Sequence, residues 1–359
     1  MNVAVLGSGN GGCAIAFEWA LKGHQVSLFD FEQFPKMIGG IQRKGGLTCK
    51  GELEGTVSFH YVGHDLEKTL ERAELIFVVG PAYSTEPFAK ACKPYAKEGQ
   101  IFVVCPSSCF GSVVFKNALG LSLDSETIAV GESSTLPYAV RITAEAEITI
   151  YNHLRGGYYI AALPSTLNQI VFDAVTEVNK GFVLAENVLQ TTLQNGNPTI
   201  HPAVSLLNVA RIENPDDFMF YEEGVTPGVG RLMKAVDEEK KAIAEALGVK
   251  ILPDPIIGVD QGYMTIANYD TGYSTAPGFR GIKAQDKLDY RYFNEDVGYS
   301  MVCLMDLAKL AEVEVPAMEA IVRLVSIVME RDYLAEGQRT LDTMGLAGKS
   351  KAEFMELLR

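Results

Sequence analysis

Two polar islands in the second half of the chain hold the residue types that could do chemistry. The first is Asn195-Gly196-Asn197-Pro198-Thr199-Ile200-His201-Pro202, a cluster of turn-forming residues between two helical segments. Its imidazole, held between Ile200 and Pro202, is a group that takes up and releases protons near neutral pH. The second is Asp289-Tyr290-Arg291-Tyr292-Phe293-Asn294-Glu295-Asp296, just ahead of an apolar helical run. It supplies a guanidinium able to hold a carboxylate and an acid able to orient an imidazole. Each island also has a plainer reading. Any one of the five histidines (His24, His60, His64, His153, His201) taken alone is an ordinary surface or core residue. Asn294 or Asp296 could simply cap the following helix, and Arg291 could be a surface charge.

A third stretch offers binding rather than reactivity. Val3, Val5 and Leu6 form a short β-branched run, and Gly7-Ser8-Gly9-Asn10-Gly11-Gly12 follows at once. Residues 13–21 then repeat at helical spacing, residues 25–29 form a second strand, and Asp30 stands at its end. For a dinucleotide, Gly7 permits the tight turn, Gly9 leaves room for the pyrophosphate, and Gly12 lets helix and strand pack closely. Ser8, Asn10 and Gly11 complete the loop, whose helix N-terminus presents N–H groups and partial positive charge to phosphate. Asp30 is placed to accept from an adenosine ribose and to repel the extra phosphate of NADP, which favours NAD. Lys36 and Arg43 are the cations that could still admit NADP.

The elements that must position these groups alternate. Leu75-Ile76-Phe77-Val78-Val79 reads as a strand buried on both faces, ended by Gly80-Pro81, a loop expected beside the nicotinamide half of a cofactor. Helix 85–95, strand 101–104, helix 112–119 and strand 127–130 continue the pattern, which predicts a Rossmann-like doubly wound parallel sheet. Alternating apolar residues over 139–151 and 158–163 predict an antiparallel extension of that same sheet, followed by a helix over 165–178. Beyond about residue 180 the strands stop. Thr226-Pro227 opens a long amphipathic helix ended by Gly248, and 297–310 and 316–329 give two more. The expected organisation is therefore an α/β dinucleotide-binding domain over 1–183 and an all-α domain over 184–359.

Composition narrows the function classes. A chain of 359 residues with 47% apolar side chains can fill two cores. Its net charge of −14 argues against nucleic acid or an anionic membrane as partner. The chain opens directly into a strand, leaving no room for a cleavable leader, and no apolar run approaches membrane-spanning length. A soluble, cytoplasmic protein is expected. Six cysteines lack CxxC spacing; Cys105 and Cys109 flank Pro106-Ser107-Ser108 without evident co-ligands, so no metal site is expected.

Taken together, the motifs resemble the opine dehydrogenase family of the octopine, nopaline and carboxyethyl-norvaline dehydrogenase type. The resemblance rests on Gly7-Ser8-Gly9-Asn10-Gly11-Gly12, Gly131-Glu132-Ser133-Ser134, Asn195-Gly196-Asn197 with His201-Pro202, and Leu206-Leu207-Asn208. Tyr221-Glu222-Glu223-Gly224-Val225-Thr226-Pro227, Phe279-Arg280-Gly281-Ile282 and Arg291-Tyr292-Phe293-Asn294-Glu295-Asp296-Val297 extend it along nearly the whole chain. It implies NAD(P)H-dependent condensation of an amino acid's amine with a 2-oxo acid, with those small molecules as partners. A homodimer is a candidate assembly. It also implies His201 and Asp296 as the acid/base pair and Arg291 on the oxo-acid carboxylate and in domain closure. The mechanism built from those parts expects Asn197 to hydrogen-bond substrate or cofactor near C4 of the nicotinamide, and a site between domains that closes on binding. Two rivals stay open. A glycerol-phosphate or ketopantoate type reductase would use a lysine, for which Lys234, Lys240, Lys241 and Lys250 are available, mostly on an exposed helical face. A non-catalytic dinucleotide sensor would have no use for intact His201, Arg291 and Asp296.

Overall fold

The computed structural model describes residues 1–214 and 217–359. It divides into two units, Met1–Val188 with Leu358–Arg359, and Leu189–Leu357. The last two residues thus pack with the first unit: the Arg359 main-chain oxygen accepts from Ser165 Oγ at 2.7 Å and Thr166 N at 3.3 Å.

The strands of the first unit, in chain order, are β1 (Asn2–Leu6), β2 (Gln25–Phe29), β3 (Leu47–Gly51), β4 (Gly55–Val57), β5 (Tyr61–Gly63) and β6 (Leu75–Val78). They continue as β7 (Ile101–Val104), β8 (Ala129–Ser133), β9 (Tyr138–Ala144), β10 (Glu147–His153), β11 (Tyr158–Leu163) and β12 (Phe182–Leu184). The main sheet runs β12-β11-β8-β7-β6-β1-β2-β5 and is parallel at every pairing except β8 with β11. Ala4, Leu6, Ile76, Val78, Phe102 and Val104 carry one of its cores, joined by Phe88 and Phe115 from covering helices. The strand order reverses at β1, with β2 on one side and β6 on the other. The carboxyl end of β1 is therefore the crevice where α/β sheets take ligands.

The doubly wound sheet and the antiparallel addition at β11 match expectation, but residues 139–151 do not extend the main sheet. They form a hairpin, β9 and β10, in a separate sheet of order β4-β3-β10-β9. Its turn is fixed by Ala146 at φ +52°, and it buries Tyr138, Val140, Ile148 and Ile150 while leaving Ile142 exposed. Period-two alternation marks a half-buried strand but carries no information about its partner. The partners β3 and β4 come from the glycine-broken stretch 31–62, which also holds a helix at Pro35–Lys44. β12 is a strand beyond the point where strands were expected to end.

The second unit is helical. Thr226 caps Pro227–Ala246 by accepting from Val229 N, with Pro227 in the first turn, as the sequence predicts. Other helices are Asn197–Leu207, Val302–Ala311 and Pro316–Val328, and a π-helical turn spans Asp296–Met301. Among the described residues no helix is long and apolar enough to cross a membrane. All six cysteines are buried and unpaired with one another.

Candidate active site

The glycine loop has the shape a dinucleotide needs. Gly7 has φ +109°, and a Cβ there would lie 2.1 Å from the Val79 carbonyl oxygen. A Cβ on Gly12 would lie 1.8 Å from the Gly7 carbonyl oxygen, so helix Asn10–Leu21 sits against the turn only because that side chain is absent. Gly9 is different: nothing approaches its Cβ position within 4 Å, which leaves open space over the helix N-terminus. The helix places no acidic side chain of its own in its first turn, where negative charge would compete with a bound phosphate. A pyrophosphate fits these residues. Gly80 and Pro81 follow β6 alongside, where Val79 N donates to the Leu6 carbonyl at 2.8 Å.

Asp30 does something the sequence did not signal. It is buried, and its Oδ2 accepts from both the N–H and the hydroxyl of Ser8 at 2.7 Å, while Oδ1 accepts from Phe31 N at 2.8 Å. Its carboxylate therefore organises the glycine loop, leaving by count one acceptor position on Oδ1 for a ribose hydroxyl. Arg43 is ion-paired with Glu145, and the Asn10 side-chain oxygen accepts from Ile142 N at 2.7 Å.

In the second unit the structure brings His201 and Asp296 together. Nδ1 of His201 lies 2.8 Å from Asp296 Oδ2, across 95 residues of chain. The histidine is 7% exposed and Asp296 fully buried. Burial pushes the Asp296 carboxyl above its ordinary pKa, while His201 and then Arg291 pull it back. Oδ1 of Asp296 has no hydrogen-bond partner among the described residues. A carboxylate holding an imidazole at Nδ1 sets its tautomer and leaves Nε2 as the nitrogen for chemistry. The plain reading of Asp296 as a helix cap fails, because its side chain makes no capping bond.

Local structure explains the placement. The short helix Arg291–Asn294 runs into the π-turn, where Ser300 N reaches back five residues to the Glu295 carbonyl at 3.1 Å. Glu295 and Asp296, adjacent in sequence, are both fully buried. Glu295 Oε2 takes Arg291 Nε at 2.9 Å and Nη2 at 2.8 Å. This pairing holds the guanidinium's pKa above its ordinary value and, by count, leaves three of its five N–H donors for another carboxylate. Asn197 opens the helix that carries His201; its N–H donates to Asn195 Oδ1 at 2.9 Å, and its side-chain amide has no hydrogen bond among the described residues.

Two further groups take places that the sequence does not predict. The hydroxyl of Tyr221 lies 3.3 Å from His201 Nε2. Lys240, expected on an exposed face, is buried: its Nζ lies 3.2 Å from Asp237 Oδ1 and donates to the Asn195 carbonyl at 3.0 Å. Asp237 Oδ2 in turn accepts from Asp254 N at 2.9 Å and Tyr269 Oη at 2.7 Å, and Asp254 accepts from Tyr273. Burial first, and Asp237 second, push the Asp254 carboxyl up to about 6 against the pull of Lys240. This network braces the turn that starts the His201 helix: a Cβ on Gly196 would meet Asp254 Oδ1 at 2.2 Å. Among the described residues no cluster of three or more His, Cys, Asp or Glu side chains could hold a metal ion.

Comparison with known proteins points one way. Residues 184–329 match the family model described as the NAD/NADP octopine/nopaline dehydrogenase α-helical domain. Residues 2–107 match the N-terminus of NAD-dependent glycerol-3-phosphate dehydrogenase. An opine dehydrogenase of Arthrobacter sp. (strain 1C) is 33% identical over 351 residues, covering 97% of this chain and 96% of the relative. Octopine dehydrogenase solved with NADH and L-arginine superposes with TM-score 0.74 at 18% identity, over 97% of this chain and 98% of that one. Yersinopine dehydrogenase with NADP+ bound gives 0.71 at 14% identity, over 100% and 97%. Those two structures bear on the fold.

Proposed function

The chain belongs to the opine dehydrogenase family, and from that premise we propose how its own residues carry the family's reaction. The reaction is NAD(P)H-dependent reductive condensation of an amino acid's amine with a 2-oxo acid, and its reverse. The reduced nicotinamide ring, when bound, supplies the hydride. The loop from Gly7 to Gly12 holds the pyrophosphate, Asp30 takes a ribose hydroxyl on Oδ1, and Gly80-Pro81 borders the nicotinamide side. With the Asp30 carboxyl beside the loop and Arg43 already held by Glu145, the loop favours NAD over NADP.

Arg291 takes the oxo-acid carboxylate on the N–H groups that Glu295 leaves open. His201 removes a proton from the substrate ammonium, freeing the amine to attack the carbonyl carbon. The same proton returns to the hydroxyl that leaves as water when the imine forms. Asp296 keeps the imidazole in one tautomer and stabilises its protonated form. Asn197 hydrogen-bonds the substrate near the reacting carbon. The observation that carries this reading is the 2.8 Å contact between His201 Nδ1 and the buried Asp296 carboxylate. The burial of Lys240 among Asp237 and Asn195 counts against a lysine-dependent reductase, and Lys234, Lys241 and Lys250 lie exposed.

The test is a matrix of amino acids against pyruvate, glyoxylate and 2-oxoglutarate, read as loss of NADH absorbance. Oxidation of NADH is expected only when amine and oxo acid are both present. His201→Asn is expected to lower turnover by about 10²–10⁴-fold and leave NADH affinity unchanged. Turnover on an oxo acid alone, or normal turnover with lost NADH binding in the variant, would overturn the assignment.

A further inference from the structure

We propose that the hydroxyl of Tyr221 is the relay through which His201 exchanges its proton with the substrate. The proposal rests on the acid/base reading of His201 above and extends it by one group.

Both nitrogens of the imidazole are engaged. Nδ1 is taken by Asp296 at 2.8 Å, and Nε2 faces the Tyr221 hydroxyl at 3.3 Å. One face of the ring is covered by Tyr292, stacked at 3.9 Å and 24°, and Phe220 stands edge-on at 6.0 Å. A buried carboxylate on Nδ1 means that every proton His201 trades with substrate crosses Nε2, and Tyr221 stands on that nitrogen. The phenol must therefore move away or pass the proton on.

The packing opposes movement. The Tyr221 ring stacks on Phe279 at 4.0 Å and 12°, Phe279 stacks on Tyr263 at 4.7 Å, and Phe220 meets Tyr221 edge-on at 5.0 Å. The backbone is pinned on both sides: Phe220 N donates to the Ile282 carbonyl at 2.8 Å, and Glu222 Oε2 accepts from Gly281 N at 2.7 Å. Tyr221 is itself 6% exposed. A hydroxyl is suited to relay because it donates and accepts through one oxygen. With neutral His201 it donates to Nε2, and with the imidazolium it accepts from Nε2–H.

The step balances. As the carbinolamine C–O bond breaks and its electron pair leaves with oxygen, the phenol passes its proton to that oxygen and receives the Nε2 proton. His201 loses one proton, water departs, and Tyr221 ends neutral. In the ammonium-deprotonation step the same two transfers run the other way.

The experiment is Tyr221→Phe, measured with NADH, pyruvate and each of the proteinogenic amino acids, beside His201→Asn and the parent enzyme. The variant keeps the ring and its stacking and loses only the hydroxyl. Expected is a fall in kcat of about 10–10²-fold, with KM values and NADH affinity little changed. Fluorotyrosine at 221, which preserves ring size but makes the phenol more acidic, is expected to move a limb of the kcat–pH profile to lower pH. Wild-type kcat in Tyr221→Phe while His201→Asn is inactive overturns the relay and leaves the acid/base reading standing. Full activity in both variants overturns the acid/base reading itself. Should Tyr221→Phe misfold, the fluorotyrosine enzyme decides: an unmoved pH profile overturns the relay.

Discussion

Replacing Asp296 by asparagine separates catalysis from stability, because the two depend on that carboxylate with opposite sign. The side chain is fully buried and its Oδ2 holds His201 Nδ1 at 2.8 Å. When His201 carries a proton, the charge centres lie about 4 Å apart, worth about 4 kcal/mol at the effective dielectric suited to protein sites. Proton transfer in the transition state feels most of this, so turnover should fall by about 10²–10³-fold. Stability should move the other way. Burial raises the Asp296 pKa, so the folded state disfavours the anion, and above the folded pKa ionisation costs the fold free energy. Asparagine carries no such cost, and thermal unfolding near neutral pH should occur at an equal or higher temperature. Steady-state NADH oxidation across pH and calorimetry on the same preparations test both halves. Turnover within about threefold of the parent would refute the dyad. A loss of activity matched by a loss of thermal stability would make Asp296 a structural group instead.

Gly9→Ala and Gly12→Ala should part company. At Gly9 the backbone is extended at φ −72° and the Cβ position is open, so alanine should leave the unfolding temperature unchanged and weaken NADH binding, read by fluorescence titration. At Gly12 the Cβ would fall 1.8 Å from a carbonyl oxygen, so alanine should cost about 1–3 kcal/mol of stability as well as NADH affinity. For Asp254, whose folded pKa of about 6 lies above the unfolded value near 3.9, the native state binds more protons than the unfolded chain between those values. Stability therefore falls as pH rises through that window. Asp254→Asn removes the dependence, and its unfolding free energy relative to the parent should improve by up to about 3 kcal/mol between pH 4 and pH 7, measured by denaturant titration.

What the sequence discloses here is what short stretches of backbone demand. The glycine loop is legible because each glycine answers a contact with its immediate neighbours: Gly7 against Val79, Gly12 against Gly7. The same holds for the Thr226 cap and the first-turn Pro227. The β9–β10 hairpin marks the limit, since alternation names a buried face and leaves the partner sheet unnamed. Pairing of His201 with Asp296 lies beyond any local rule at a separation of 95 residues, and only resemblance to a family brings the two islands together.

The position of Lys240 within its helix is itself a signal of burial. Val229, Met233, Val236 and Ile243 form the buried stripe of helix Pro227–Ala246, and position 240 falls on that stripe between Val236 and Ile243. A lysine buried at core spacing must find polar partners for its Nζ, and it finds Asp237 and the Asn195 carbonyl. Tyr221 gave no comparable sign. A tyrosine is at home in an aromatic core whether or not its hydroxyl matters, and only the ring order Tyr221–Phe279–Tyr263 aims that hydroxyl at Nε2. Charge on an apolar stripe is therefore the feature by which sequence betrays a buried network, whereas a functional hydroxyl in an aromatic core becomes visible only once packing has fixed its direction.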